Sequence, residues 1–319
     1  MSEAKYRNAL PQLNGKPCIA DGGLETCLIF HDGFDLPLFA AFPLLNDEAG
    51  RTALHRYMGH YADIAIRHEK GLVMDTPTWR ASPRWADELG VSKTDLRDAH
   101  AKAVGALIAL RGERETAASP FIVNGAIGPH DDGYNPQSFL SVADAKAYHS
   151  DQIGWFVEFG ADMVSAITMT YAQEATGLAL AAKDAGMPCI ISFTVETDGR
   201  LPSGQALSEA IEEVDGASDA SPAYYMLNCA HPDHFDGVLQ DGGDWRGRIM
   251  GLRANASRMS HAELDAAEEL DEGNPAELGA QYQALMAVLP NLAVVGGCCG
   301  TDHRHIEAIS SACGDMRVG

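Results

Sequence analysis

Two adjacent cysteines, Cys298 and Cys299, close the run Gly296-Gly297-Cys298-Cys299-Gly300, and a third, Cys229, follows Leu227-Asn228 upstream. Three such thiols can make a zinc site with one open coordination position, the arrangement that catalytic zinc uses. Successive side chains of an extended strand point to opposite faces, so both members of the pair reach one ion only where the strand breaks up. The flanking glycines permit that backbone. The other reading of the pair is two buried thiols, because free cysteine packs as a small hydrophobe. His231, His234, His303 and His305 lie near these cysteines in the chain, so a mixed Cys/His set can also be drawn. Against it, Thr301 is placed to N-cap the last helix, which turns His303 and His305 onto its first turn, away from a metal or toward solvent.

The elements that must position these thiols follow a βα pattern. Short apolar, β-branched segments bounded by Gly, Pro or Asn recur with helical stretches between them. They are Pro17–Gly23, Leu72–Thr78, Phe121–Gly128, Asp162–Met169, Pro188–Val195, Ala223–Ala230, Ile249–Ala256 and Leu292–Gly300. Several are apolar on both faces, as parallel strands covered on both sides should be. Helices are predicted over Asp47–Lys70, Lys93–Arg111, Val142–Phe159, Gln173–Ala185 and Glu277–Val288. The pattern predicts a single (βα)8 TIM barrel, residues 1–319 forming one domain, with a doubly wound open sheet as the alternative. In a barrel, Cys229 ends the sixth strand and Cys298-Cys299 end the eighth, on the catalytic face with only the seventh strand between them. The gap between them matches two βα units. Cys18 and Cys189 fall at strand beginnings, Cys27 beyond strand 1 and Cys313 in the last helix, where packing is the expected role.

Other strand ends add polar groups to the same face. At Asp21-Gly22-Gly23 the glycines expose backbone N–H groups to a ligand and the aspartate can hold an ammonium, an ordinary tight turn being the alternative. Asn124 to Pro129, Ser192-Phe193-Thr194 and Asn255 lie late in strands 3, 5 and 7. Trp79, Tyr134 and Tyr171 are candidates by strand-end position for an aromatic wall against a bound cation, with core or rim packing as the other role. The acidic stretch Glu263 to Glu272 reads as a solvated loop and helix face.

Composition narrows the partners. The chain has 319 residues, 46% of them hydrophobic, enough for a large core, and no apolar run of membrane-spanning length. A formal charge of −22 argues against nucleic acid and against anionic membrane surfaces. Seven cysteines, an odd number on a large chain, suit a reducing compartment that keeps thiols free or metal-bound. Met1 to Leu10 carries charge and no apolar core segment, unlike a secretory signal, so the cytoplasm is the expected location. The oligomeric state is left open.

These residues resemble the zinc-dependent homocysteine S-methyltransferase family, over nearly the whole chain. The family includes the betaine- and S-methylmethionine-dependent enzymes. Gly296-Gly297-Cys298-Cys299-Gly300-Thr301 and Asn228-Cys229 carry the resemblance. Asp21-Gly22-Gly23-Leu24-Glu25-Thr26, Asn124-Gly125-Ala126-Ile127-Gly128-Pro129, Ser192-Phe193-Thr194 and Thr76–Ser82 support it. The resemblance implies zinc on Cys229, Cys298 and Cys299, and a substrate site at Asp21, Gly22, Gly23, Thr168 and Asn228. It also implies methyl transfer to homocysteine, forming methionine. Two positions depart from the family. Ile167-Thr168 stands where a Glu-Thr pair is usual after strand 4, and Ala254-Asn255 where Pro-Asn is frequent after strand 7. The first departure motivates another thiol or a selenol as alternative acceptor, and a non-catalytic zinc- or thiol-binding barrel is a further reading. Zinc binding deprotonates an acceptor thiol, and the resulting thiolate requires an activated methyl donor. A free sulfonium or quaternary ammonium compound such as S-methylmethionine or betaine is expected, since no corrinoid or folate domain fits beyond the barrel.

Overall fold

The computed structural model describes residues 4–314 and Met316. Eight strands run parallel and close into a barrel in chain order. They are β1 (Cys18–Ala20), β2 (Gly71–Asp75), β3 (Phe121–Ile127), β4 (Met163–Met169), β5 (Cys189–Phe193), β6 (Tyr224–Asn228), β7 (Ile249–Ala254) and β8 (Val294–Gly297). Cys18 pairs with Val294 to join the first strand to the last. The helices that return the chain are α1 (Glu48–Arg67), α2 (Lys93–Arg114), α3 (Val142–Phe159), α4 (Ala172–Asp184), α5 (Leu207–Ser218), α6 (Pro232–Gln240), α7 (Pro275–Leu285) and α8 (His303–Ala312). The expected (βα)8 barrel is thus borne out, and the open sheet is excluded by the β1–β8 pairing.

Each strand is buried nearly throughout because helices cover the outside and side chains fill the inside. Cys18, Ile122, Ile190, Met226 and Val294 form part of the inner layer. Cys27, Cys189 and Cys313 are buried among the residues between sheet and helices. At the amino ends of the strands the N-terminal segment packs across the barrel. Gln12, fully buried, donates to the Tyr224 hydroxyl at 3.2 Å. Tyr6 N donates to Asp162 Oδ1 at 2.8 Å, while Arg111 and Val123 N hold Asp162 Oδ2 at 2.7 and 2.8 Å. The carboxyl ends are left as the open face, where (βα)8 enzymes carry their sites.

The final turn differs from the sequence expectation. Strand pairing of β8 stops at Gly297, so the cysteine pair lies just past the ladder. Gly300 turns with a φ of 77°, and Asp302, not Thr301, caps α8 by accepting from Arg304 N at 2.9 Å. Thr301 turns back and its hydroxyl donates to the Cys298 carbonyl at 2.7 Å, bracing the cysteine turn. A carboxylate one residue closer to the helix satisfies the open N–H groups, which frees the threonine. His303 stacks on His60 with centroids 4.8 Å apart. His305 is buried, facing neither solvent nor the cysteines, with Nε2 donating to the Glu272 carbonyl at 2.8 Å.

Candidate active site

The three sulfurs of Cys229, Cys298 and Cys299 all lie within 4.8 Å of one another at the carboxyl ends of β6 and β8. Cys229 and Cys298 are paired as a disulfide, with Cα atoms 5.4 Å apart, and Cys229 Sγ lies 3.9 Å from Cys299 Sγ. Tetrahedral zinc at a Zn–S distance of about 2.3 Å places its sulfurs about 3.8 Å apart, so the donor set fits that ion once the pair is reduced. Local backbone makes the convergence. Cys229 sits in the left-handed region at φ 54°, which swings its side chain out of strand alternation. Its N–H donates to Arg253 O at 3.1 Å, and Cys298 N donates to Ala254 O at 2.9 Å, so β7 holds both turns in place. A Cβ on Gly23 would come within 2.6 Å of the Cys298 carbonyl, which is why the loop after β1 can lie directly against the cysteine turn.

The sulfurs face a cavity of about 70 Å³. Its polar walls include Asp21, Glu25, Thr168 and Arg253, and its apolar walls Phe39, Trp79 and Ile167. The Tyr134 hydroxyl lies 3.3 Å from Cys229 Sγ and 3.4 Å from Cys299 Sγ. The His261 ring packs tilted against Tyr134, centroids 4.3 Å apart, and donates through Nε2 to the Cys229 carbonyl at 2.7 Å. Burial pushes the Cys299 thiol up to about 11, so without a cation beside it the sulfur stays protonated at neutral pH. Burial likewise pushes the Glu25 carboxyl up to about 7, opposed by its own backbone N–H and, at longer range, by Arg80 and Arg253.

A family model described as homocysteine S-methyltransferase matches residues 18–313. The chain belongs to the homocysteine S-methyltransferase family. It is a methyltransferase enzyme of that family, and the matched span runs from the first strand of the barrel to the end of the last helix. The homocysteine methyltransferase MmuM from Escherichia coli, solved in an oxidized form, superposes with a TM-score of 0.73 at 20% identity, over 92% of this chain and 95% of that one. The metallated form of the same protein gives 0.71 at 19% identity, over 93% and 96%. At these identities the likeness establishes the shared fold. No curated protein sequence matches the chain significantly.

Within this family member the residues singled out from sequence separate into two groups. Asp21, Gly22, Gly23, Thr168 and the three cysteines line the cavity. Asn228 does not. It anchors its neighbours, donating from Nδ2 to Thr168 Oγ1 at 2.8 Å and accepting at Oδ1 from Thr168 N at 2.9 Å and Ser192 Oγ at 2.6 Å. Thr168 is held at φ 66°, a strained position for a β-branched residue and one typical of functional sites. The Asp21 carboxylate, read from sequence as free to hold an ammonium, is instead paired with Arg253, which also pairs with Asp75. Trp79 and Tyr134 reach the cavity, whereas Tyr171 packs on Phe139 and accepts from Leu140 N. Glu174 bonds His130 N and His149 and lies outside it. His231 caps α6 and His234 faces the Arg258 carbonyl, so neither joins the cysteines.

Arg253, Glu25 and His261 were not singled out from sequence. An arginine inside the apolar run of β7 was the available signal for the first, because unpaired charges are rarely buried. The acidic stretch is a short helix and loop with Glu263, Asp265, Glu268 and Glu269 exposed, as expected, and it also borders a second cavity. Leu264, Glu269, Leu270 and Asp271 line an outer vestibule of about 430 Å³ together with Phe30, Trp85 and Cys299.

Tyr134 tests how tightly this surround is tied to the sulfurs. Tyr134→Phe is expected to weaken zinc binding by the reduced protein roughly tenfold or more, as loss of a ligand's hydrogen-bond partner usually does. Chelator competition measures it, and unchanged affinity would separate Tyr134 from the metal-binding function.

Proposed function

We propose that the protein transfers a methyl group from a small onium compound, such as S-methylmethionine or betaine, to homocysteine, with zinc held by Cys229, Cys298 and Cys299 and methionine as product. The observation that supports this reading is the convergence of three sulfurs within 4.8 Å at the wall of a cavity on the open face of the barrel. Bound there, zinc would deprotonate the acceptor thiol while the cysteine charges keep the resulting sulfur electron-rich. The chain's own residues do the rest. Tyr134 and His261 orient Cys229 and Cys299. Gly22 and Gly23 bring backbone against the acceptor. Trp79 and Tyr134 offer aromatic rings to a methylated cation, and the vestibule that Tyr134 and Cys299 border gives it an approach to the site. The 1–319 chain acts as one domain, and the cytoplasm would keep the cysteines reduced.

Ile167 favours a second reading with the same chemistry and another thiol or selenol acceptor, because it places an apolar side chain on the acceptor wall. Mass-spectrometric assay of the reduced, zinc-loaded protein against a grid of thiols and onium donors decides. Turnover of homocysteine with at least one onium donor is expected. Turnover of other thiols alone would install the second reading, and absence of turnover with every pair would remove both.

A further inference from the structure

The charges around the cavity do not balance. Three carboxylates, Asp21, Glu25 and Asp75, line it together with one guanidinium, Arg253. Arg253 commits its two terminal nitrogens to Asp75 and Asp21 and its Nε to the Gly297 carbonyl at 3.2 Å. Glu25 is left over. Among the described residues no other side chain hydrogen-bonds or ion-pairs with its carboxylate. The next cation, Arg80, is stacked between Trp79 and Trp85 at 4.3 and 3.8 Å and pairs with Asp132 at 3.3 Å. The nearby polar groups of Thr168 and Asn228 satisfy each other. A partly buried carboxylate beside Phe39, Trp79 and Ile167, with its neighbours' charges already matched, stays ionised only at a cost. A cation entering the cavity removes that cost, and its own desolvation is offset by the pairing.

We propose that Glu25 binds the cationic group of a substrate, pairing with it inside the cavity that the three cysteine sulfurs line. The inference rests on the methyl-transfer reading for the identity of that substrate. Two sources share the chemistry: the ammonium of an amino-acid thiol and the onium centre of a methyl donor. Either meets an excess of negative charge, since the cysteine sulfurs carry charge of the same sign once ionised. A neutral analogue of the same shape leaves Glu25 unpaired, so Glu25 sets specificity as well as affinity.

The test is equilibrium binding by calorimetry to the reduced, zinc-loaded chain as wild type, Glu25→Gln and Glu25→Asp. The probes are L-homocysteine, its ammonium-free analogue 4-sulfanylbutanoate, and trimethylsulfonium. Glu25→Gln is expected to weaken at least one cationic probe on the order of 10- to 100-fold while leaving 4-sulfanylbutanoate unaffected. Zinc content should stay at the wild-type value and Tm should not fall, and Glu25→Asp should recover part of the lost affinity. Selective loss of homocysteine assigns Glu25 to the acceptor's ammonium, and loss of trimethylsulfonium assigns it to the donor's onium. Equal binding of both cations by wild type and Glu25→Gln overturns the proposal, as does absence of cation binding by wild type or a parallel loss of 4-sulfanylbutanoate. Trimethylsulfonium binding needs no thiol acceptor. A Glu25-dependent signal from it therefore upholds Glu25 even where homocysteine is never methylated, a result that overturns only the reading of function.

Discussion

Replacing Cys298 by alanine is expected to remove zinc and methyl transfer together. Metal affinity at such sites comes from the number of thiolates that converge without reorganisation, and structural zinc binding by such sets is worth about 10–16 kcal/mol. Taking one sulfur from three should cost about 4 kcal/mol or more, roughly a thousandfold in affinity. The fold should survive, because Cys298 lies past the end of β8 and its backbone N–H still donates to Ala254 O. Metal analysis of the reduced protein, circular dichroism and turnover measured on one preparation check all three parts. Cys189→Ala is the control: this thiol is buried in the helix-facing core, so its loss should cost stability and leave the metal in place. Stoichiometric zinc and full turnover in Cys298→Ala would falsify the three-sulfur site.

Arg253→Met should produce the largest fall in stability. It leaves Asp21 and Asp75, buried on neighbouring strands, facing each other without their shared counter-ion. Breaking a buried pair by removing one partner costs about 3–5 kcal/mol, which for a chain of this size lowers Tm by roughly 4–8 °C. The deficit should depend on pH with a definite sign. Burial already pushes the Asp21 carboxyl up to about 7 against the pull of Arg253, and the methionine variant loses that pull. A carboxyl whose pKa is raised in the folded state binds more protons folded than unfolded, so stability is regained as pH falls from that raised pKa toward the ordinary carboxylate value. Thermal unfolding at pH 8 and pH 5 should show a wide gap to wild type narrowing at the lower pH. Asp75→Asn added to Arg253→Met should recover part of the loss at pH 8. A variant with wild-type Tm at pH 8 would show that the triad carries no stability.

The barrel and the cysteines were legible from the chain for related reasons. Parallel strands buried on both faces leave short apolar runs, and β3 and β4 are buried throughout, as their composition requires. The βα repeat then converts spacing into geometry. Cys229 and Cys298 are two units apart, and closure in chain order brings their strand ends together. The helix start at Asp302 was missed by one residue, because Thr301 and Asp302 are both good caps and only the turn at Gly300 chooses between them.

Charge partnership was not legible in the same way. Asp21, Asp75 and Arg253 come from the ends of β1, β2 and β7, and nothing local says that one guanidinium serves two carboxylates. Nor does the motif Asp21-Gly22-Gly23-Leu24-Glu25 say which of its acids is taken and which is left. Tyr134 reaches the sulfurs, and His261 the Cys229 carbonyl, from the segments that follow β3 and β7, where no periodicity marks a position.

Residue type and strand-end spacing, both local properties, therefore settled the eight-stranded barrel and which three thiols converge. Only the closed barrel decided that Asp21 is neutralised and Glu25 is not. Counter-ions are chosen by distances of a few ångströms across the sheet, and those distances exist only once the strands have closed.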